Sequence, residues 1–360
     1  MRVLICGGGV IGAAAAYFLA KAGAEPVLIE RADVACGASG KSGGFLALDW
    51  CDGTALAPLA RRSFALHAEL ADAMPGKWGY RRVTTLHLRH DGTRGEARAG
   101  QSALPSWLAA ETFPMQCLGT TETTAQLDPG AFTRALATAA AEAGGSSQKA
   151  TVTDLRRSAD GRVIGVVADG HAIDGDAVLV AMGPWSNVVS GLALPPVQAV
   201  EGTSMVFRPV SAAAEPLALF VDAFGPGGAH DTPEVVVRAD GTVYVSGASR
   251  QSRLPADPSA VLPEPATSAR LEAMIARFAP GLAASPIVSR QACFRPVAGD
   301  GLPLIGPVPG APGAFIATGH GVWGMLNAPA TGELLVELVT GRASTTLDPA
   351  PFAPGRPGLA

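Results

Sequence analysis

The sequence predicts an α/β protein, α+β when the whole chain is counted, with parallel strands at both ends and a mostly antiparallel region between them. Near the amino terminus, two apolar strands flank one helix, which is the order of a βαβ unit with parallel strands. Between residues 197 and 249, short alternating segments are separated by turn residues, as in antiparallel strands. Near the carboxyl terminus, a strand, a glycine-rich turn and a helix follow one another again.

The amino-terminal unit begins with a short apolar strand at residues 2–6, followed by a glycine turn. An alanine-rich helix is predicted at 10–22, and Gly23 closes it as a left-handed cap. A second apolar strand follows at 26–30. This is the pattern of a Rossmann-like nucleotide-binding unit.

The remaining elements follow from hydrophobic periodicity and from turn residues. Helices are predicted at 58–73, 129–144 (with Asp128 as the N-cap), 266–278 and 329–340. Strands are predicted at 82–88, 150–155, 163–167, 177–180, 203–207, 234–238, 242–246 and 315–318. The turn Ala239-Asp240-Gly241 predicts a hairpin. Residues 349–360 are rich in proline and glycine and predict a loose tail.

Composition excludes several classes of function. The 360 residues suffice for two packed domains or one large domain with an insertion, and the net charge of −4 without charge runs disfavours nucleic acid as a partner. The five cysteines include no CxxC pair and the histidines no HxxxH spacing, so we expect no metal site.

Residues 3–20 are uncharged, but glycines at their centre argue against a membrane span. With no apparent targeting extension, we expect a cytoplasmic protein.

The first chemical motif is Gly7-Gly8-Gly9-Val10-Ile11-Gly12, a GxGxxG sequence between strand and helix. Gly7 permits the tight turn, Gly9 lets a pyrophosphate approach the backbone, and Gly12 permits close packing of helix and strand. Glu30 ends the second strand, where a carboxylate can accept hydrogen bonds from a ribose diol and would repel a 2′-phosphate. The motif predicts dinucleotide binding; the alternative is a tight turn without a ligand.

Four further motifs are rich in glycine or in residues that suit a ligand site. They are the segments 37–44 (GASGKSGG), 181–186 (AMGPWS), 293–306 (CFRP followed by DGLPLIG) and 318–332 (TGHGVWGM followed by APATG). The first suits a loop around phosphates or a plain surface loop. The second directly follows a strand, at the sheet edge where α/β proteins bind ligands.

Together, in this order and at these separations, the five motifs resemble the D-amino-acid oxidase superfamily, which includes glycine oxidase, sarcosine oxidase and related dehydrogenases. The Cys-x-Arg-Pro…Asp-Gly-Leu-Pro…Gly-His-x-x-Trp-Gly pattern is most similar to a less-characterised branch of yeasts and plants. The resemblance covers nearly the whole chain. It implies an FAD-dependent oxidoreductase that oxidises a small amine or amino acid by hydride transfer to flavin N5, after which the imine product is hydrolysed.

The resemblance also implies which residues hold the cofactor. These are Gly7, Gly9, Val10, Ile11, Gly12, Glu30, Arg31, Ser39, Lys41, Ser42, Gly43, Gly44, Val152, Ala181, Gly183, Trp185, Arg295, Gly319, Gly321, Val322, Trp323, Gly324 and Met325. Backbone N–H groups around Trp323–Met325 would face the edge of the flavin that becomes anionic on reduction.

Two residues are catalytic candidates by the same resemblance. Arg295 matches the arginine that pairs with the substrate carboxylate, although a structural arginine capping carbonyl groups is the alternative. His320 could approach the flavin or could be a hydrogen-bonded structural histidine. Cys293 matches the position of covalent flavin attachment in sarcosine oxidases, but a small buried filler is the favoured interpretation.

The implied domains are discontinuous. The FAD-binding domain would use residues 1–45, 120–190 and 295–345, and a mostly antiparallel substrate domain would use 46–119 and 191–294, with 346–360 as the tail.

The electron acceptor, oxygen or quinone, stays open, because no lysine follows Lys149, whereas sarcosine oxidases use a lysine to assist oxygen. One rival hypothesis is an NAD-dependent dehydrogenase. Another is a flavin-bearing assembly or chaperone protein with little turnover.

Overall fold

The computed structural model describes residues 1–92, 104–210 and 216–359. These residues contain six α-helices, named α1 to α6 in chain order: Val10–Lys21, Ala57–Ala73, Pro129–Glu142, Pro265–Phe278, Pro280–Ala283 and Gly324–Thr340. They also contain six 3₁₀ helices: Ala38–Gly40, Gly183–Val188, Pro226–Gly228, Pro258–Ala260, Gly321–Trp323 and Ala350–Phe352.

The described residues form twenty β-strands, named β1 to β20 in chain order: Arg2–Cys6, Glu25–Glu30, Phe45–Ala47, Arg81–Arg82, Thr84–His90, Thr112–Gly119, Thr124–Gln126, Ser146–Lys149, Val152–Arg157, Val163–Ala168, His171–Asp174, Ala177–Val180, Val197–Phe207, Leu217–Phe224, His230–Asp231, Glu234–Val237, Val243–Gln251, Ile287–Ala298, Leu304–Pro307 and Ala314–Thr318.

The predicted nucleotide-binding unit is the centre of a six-stranded sheet with the order β19-β20-β12-β1-β2-β8. All neighbouring strands are parallel except β19, which runs antiparallel to β20. Strand β1 carries four fully buried residues and pairs with β2 on one side and β12 on the other. The parallel βαβ prediction is therefore confirmed.

The two faces of this sheet are covered by different layers. Helices α1, α2, α3 and α6 share one hydrophobic cluster with one face. Close packing of α1 and α6 depends on small residues, because a Cβ atom on Gly332 would lie 2.7 Å from the Phe18 ring and 2.9 Å from the Ala14 carbonyl oxygen. On the other face, a three-stranded sheet of order β11-β10-β9 contributes Val163 and Val166 to a second cluster.

The region between residues 84 and 298 supplies an eight-stranded sheet of order β18-β13-β17-β16-β14-β5-β6, with β15 paired to β14. Its pairs are antiparallel except β14 with β5. Strands β16 and β17 form the predicted hairpin, and Gly241 in the turn has a φ of 79°. The mostly antiparallel region is thus as predicted. Strand β18 continues through residue 295, where a domain boundary was expected, and the division into domains stays a prediction.

Two local expectations were wrong. The last helix begins at Gly324 rather than near residue 329, so Pro329 lies inside it. The carboxyl-terminal segment is not loose, because Phe352 is buried and Arg356 binds the Asp300 carboxylate through Nε and Nη2, each at 2.8 Å. The aliphatic and aromatic residues of this segment complete the core beside β19.

Within the described residues, no helix has the length and apolar character needed to cross a membrane. The same residues contain no group of three or more His, Cys, Asp or Glu side chains that could hold a metal ion.

Candidate functional site

One cavity of about 460 Å³ lies where the two large sheets meet, at the carboxyl ends of β1, β12 and β20. The six-stranded sheet contributes the segments 7–11, 181–185, 317–318 and 320–325, and the eight-stranded sheet contributes side chains of β13, β14, β16, β17 and β18. This volume is within the range of cavities that bind small molecules and cofactors. Its position at the ends of parallel strands is the usual ligand site of an α/β sheet.

The glycine motif after β1 has the geometry that each glycine was predicted to supply. Gly7 has a φ of 113°, and a Cβ atom there would lie 2.4 Å from the Ala181 carbonyl oxygen. A Cβ atom on Gly12 would lie 2.0 Å from the Gly7 carbonyl oxygen, so only glycine permits this packing. A Cβ atom on Gly9 would meet only Ser39 Oγ, at 3.2 Å, which leaves the backbone at Gly9 accessible from the cavity.

Two side chains hold the ends of this loop. The Glu30 carboxylate accepts hydrogen bonds from the Gly8 N–H at 2.6 Å and the Ala32 N–H at 2.9 Å. Ser39 Oγ accepts from the Val10 N–H at 2.8 Å and so caps the first turn of α1 from a distant loop. Both side chains line the cavity. The amino terminus of α1, with its positive dipole end, therefore faces the cavity in a fixed position.

A second helix terminus faces the same cavity. The 3₁₀ turn Gly321–Trp323 leads into α6, and no side chain of the residues that the structure describes caps the amino terminus of α6. The Trp323 N–H donates to the His320 carbonyl oxygen at 3.0 Å, and the N–H groups at a helix start that have no such partner can bind an anionic or carbonyl oxygen. By the family resemblance, the edge of the flavin that becomes anionic on reduction would lie here.

The first turns of α6 are held by two side chains of α2 that the sequence did not single out. Pro329 has no N–H, so it cannot donate to the Met325 carbonyl four residues earlier. His67 donates from Nε2 to the carbonyl oxygens of Met325 at 3.0 Å and Leu326 at 3.1 Å, and Ser63 Oγ accepts from the Ala330 N–H at 3.1 Å. Their spacing of four residues on one helix was a visible signal, but only the fold shows which helix they contact.

His320 lies on the cavity wall, almost completely buried. Its Nε2 is 3.1 Å from Thr331 Oγ1, and its Nδ1 has no partner among the described residues. Burial lowers the pKa of His320 to about 3. The imidazole is therefore neutral at neutral pH and supplies no positive charge to the cavity.

Arg295 lies in β18 and faces the cavity. Its Nη2 donates to Ser249 Oγ at 2.7 Å, and a Cβ atom on Gly202 would lie 2.6 Å from the same nitrogen. Among the described residues it forms no ion pair, so the guanidinium keeps donors for an anion from the cavity. Cys293, two residues earlier on the same face, also lines the cavity, and burial raises the pKa of its thiol.

The sequence missed the side chains that β14, β16 and β17 contribute. Glu234 and Tyr244 line the cavity, as do the rings of Phe45, Trp50 and Phe220, whose centroids are 5.0 to 5.3 Å apart. Trp323 approaches Trp50 at 6.4 Å. An antiparallel strand shows from its sequence which residues alternate but not which face meets a cavity, so no signal in the sequence identified them.

Most of the predicted site residues line the cavity, with three exceptions: Gly12, Lys41 and Gly319. Gly12 packs against Gly7, as described. Lys41 Nζ instead donates to the Ala292 carbonyl oxygen at 3.0 Å. Gly319 has a φ of 81°, which lets the chain turn after β20. Arg31 lines the cavity and also bonds to the Ala256 carbonyl oxygen.

The cavity fits the dinucleotide cofactor FAD. Its glycine loop has no room for a Cβ atom at Gly7 or Gly12 and leaves the backbone at Gly9 accessible. One helix terminus is available for the pyrophosphate, and a second, near the aromatic rings, for a flavin. The Glu30 carboxylate, bonded to loop N–H groups, can still accept a hydrogen bond from a ribose.

Comparisons with known proteins agree with this geometry. The model of the FAD-dependent oxidoreductase family DAO matches residues 2–338. The chain is 30% identical to glycine oxidase of Pseudomonas aeruginosa over 98% of each chain, and 28% identical to a provisionally named oxidoreductase of Schizosaccharomyces pombe over 96% of this chain and 95% of the relative. In fold it is similar to the crystal structure of glycine oxidase from Geobacillus kaustophilus, with a TM-score of 0.82, 24% identity and 99% of each chain covered. The chain therefore belongs to the DAO family of FAD-dependent oxidoreductases, and its cofactor is FAD.

Proposed function

We propose that this enzyme oxidises a small amine or amino acid, and that the imine product is released and hydrolysed in water. When bound, FAD supplies the acceptor for the hydride that leaves the carbon bearing the nitrogen. The observation that carries the proposal is the Arg295 guanidinium, which has no ion-pair partner in the described part of the chain and shares a cavity with the FAD-binding loop. The similarity to glycine oxidase supports the amino-acid class.

Arg295 would hold the substrate carboxylate through two parallel N–H bonds, which fixes the orientation of the carbon that reacts. The aromatic side chains Phe45, Trp50 and Phe220 would cover the substrate and exclude water. Exclusion of water strengthens the charge interactions within the cavity.

The residues that line the cavity at the two helix termini and in loop 39–44 are proposed to contact FAD. Gly12, Lys41 and Gly319 do not line the cavity, and they are proposed to hold the segments that do line it in position. His320, neutral and bonded to Thr331, is proposed as a wall residue that positions the 3₁₀ turn rather than as an acid or base.

We further propose that residues 1–45, 120–190 and 295–345 form the FAD-binding domain, that the remainder up to residue 345 forms the substrate domain, and that the enzyme is cytoplasmic. The electron acceptor is proposed to be a quinone rather than oxygen. The proposal rests on charge: no lysine follows Lys149, His320 is neutral, and the Arg295 guanidinium, which lines the cavity, is proposed to be paired with the carboxylate of the substrate or product.

The experiment is anaerobic mixing of the holoenzyme with a panel of amines and amino acids while the flavin absorbance is followed. We expect bleaching by at least one amino acid. An Arg295→Leu variant should keep its FAD but lose the response to substrates with a carboxylate. If no compound of the panel bleaches the flavin, the proposed activity is wrong.

A further inference from the structure

Glu234 occupies a central place on the sheet that forms the cavity floor. It begins β16, where it pairs with Phe220 of β14 on one side and Ser246 of β17 on the other. Residues paired directly across antiparallel strands point to the same face, so these three side chains form one row. All three line the cavity.

The Glu234 carboxylate has few partners. Among the described residues, its one hydrogen bond is from Ser246 Oγ to Oε2, at 3.5 Å, and it forms no ion pair. The loop at Gly43 lies close to the other oxygen, since a Cβ atom there would be 2.7 Å from Oε1. The absence of a side chain on Gly43 leaves this oxygen open to the cavity.

A structural carboxylate in the same sheet has a different environment. Glu201 of β13 is buried, accepts from Arg250 Nε at 2.8 Å and also accepts from Ser252 Oγ. Burying a carboxylate is costly unless it is paired in this way. Glu234 is half-buried and has no such pairing among the described residues, so its location is better explained by a cationic ligand that enters the cavity.

The charges of the cavity are complementary to a zwitterion. Arg295 and Glu234 are two oppositely charged side chains that line the same cavity without an ion-pair partner among the described residues. Burial, the larger effect, raises the pKa of Glu234 above its ordinary value, and Arg295 is close enough to lower it in part. A carboxylate with a raised pKa is a better proton acceptor from an ammonium group than an exposed one.

We propose that Glu234 binds the ammonium group of an amino-acid substrate whose carboxylate is held by Arg295, and accepts one proton from it. The inference rests on the proposed function. An N–H bond of the ammonium breaks, its electron pair stays on nitrogen, and the proton forms an O–H bond on Glu234. The substrate then carries the neutral amine that hydride loss from the neighbouring carbon requires, and no other reactant is consumed.

The first test measures binding without turnover. The probes are trimethylglycine and 3,3-dimethylbutanoate, which have the same shape but differ in the positive charge, titrated calorimetrically into the holoenzyme. We expect the charged probe to bind about 10- to 100-fold more tightly, at the low end of the coupling energies of close charge pairs, because its quaternary nitrogen has no N–H to donate. Glu234→Gln should abolish this preference.

Two control variants distinguish a failure of the ammonium site at Glu234 from a failure of the carboxylate site at Arg295. Glu201→Gln removes a buried carboxylate outside the cavity and should keep the preference, even if it lowers stability. Arg295→Leu should weaken both probes, which tests the carboxylate site of the proposed function by itself. A preference unchanged in Glu234→Gln overturns this inference alone, whereas binding of neither probe contradicts both the inference and the carboxylate site.

The second test uses an amino acid that bleaches the flavin. An aliphatic ammonium has a pKa of about 10, so at pH 7 about one molecule in a thousand is neutral. If the variant accepts only neutral amine, kcat/KM of Glu234→Gln should be on the order of 10³-fold below wild type at pH 7, and the difference should shrink about tenfold per pH unit up to pH 10. A loss that is equal at every pH would indicate a structural role and would overturn the proposal.

Discussion

Replacing His67 tests how the first turns of α6 are held against the cavity. His67→Leu introduces an apolar side chain of similar size and leaves the buried carbonyl oxygens of Met325 and Leu326 without their hydrogen-bond donor. An unsatisfied buried acceptor costs about 1–3 kcal/mol. For 360 residues the unfolding entropy is about 0.76 kcal/mol/K, so the melting temperature should fall by roughly 1.3–4 °C at pH 7.5. His67→Gln, whose amide nitrogen can donate from a similar position, should recover most of the loss.

The contribution of His67 to the stability of the folded protein should also depend on pH. Burial lowers the pKa of His67 to about 4 from its ordinary value of 6.5. The unfolded chain takes up a proton as the pH falls through 6.5, while the folded chain stays neutral, so the contribution of His67 to stability is complete above pH 6.5 and is lost progressively towards pH 4. At pH 5 the loss is about 2 kcal/mol, or about 3 °C.

His67→Leu does not have this titration, so its deficit in melting temperature should shrink or vanish at pH 5. The assay is thermal unfolding of both proteins at pH 7.5 and pH 5 with saturating FAD. A deficit of the same size at both pH values would refute the protonation argument. An unchanged melting temperature at pH 7.5 would refute the role of the two hydrogen bonds.

Three other substitutions or conditions have defined outcomes. Gly12→Ala places a Cβ atom 2.0 Å from the Gly7 carbonyl oxygen and should abolish FAD binding. The control variant Gly299→Ala, which has no atom within 4 Å of the new Cβ, should bind FAD normally. Equal FAD content in the two variants would contradict the packing argument. Arg295→Lys keeps the charge but loses the planar fork, so substrate affinity should fall by about 1–3 kcal/mol at unchanged FAD content, and normal turnover would disprove the assignment. With the carboxylate product bound to Arg295, reduced flavin should reoxidise slowly in air-saturated buffer and rapidly with a quinone, because His320 is neutral and no lysine follows Lys149. Fast return of the yellow colour with stoichiometric hydrogen peroxide would exclude this.

The sequence predicted the elements that are determined by residues close together in the chain. The strand, glycine turn and helix at residues 2–21 follow from apolar runs and glycine positions, and the geometry at Gly7 and Gly12 has the roles expected of them. Asp128 caps α3 as predicted, since its carboxylate accepts from the Ala131 N–H at 2.7 Å. The hairpin at Gly241 also follows from local turn chemistry.

Features that depend on distant contacts could not be predicted. Strand β8 is polar and exposed and forms only because β2 offers an edge to pair with. The start of α6 at Gly324 was missed because Pro329 signals a helix start, and only the side chains of α2 make a proline tolerable inside the helix. Glu234 was missed because the paired strands, not the local sequence, determine which residues face the cavity.

The central claim is that this cavity binds FAD and oxidises an amine at the carbon that bears the nitrogen. The most direct measurement is the rate of anaerobic flavin bleaching by an amino acid and by the same amino acid with deuterium at that carbon, with the products quantified. We expect slower bleaching by the deuterated compound and one equivalent each of ammonia and oxo acid per flavin reduced. Equal rates together with no carbonyl product would contradict the account.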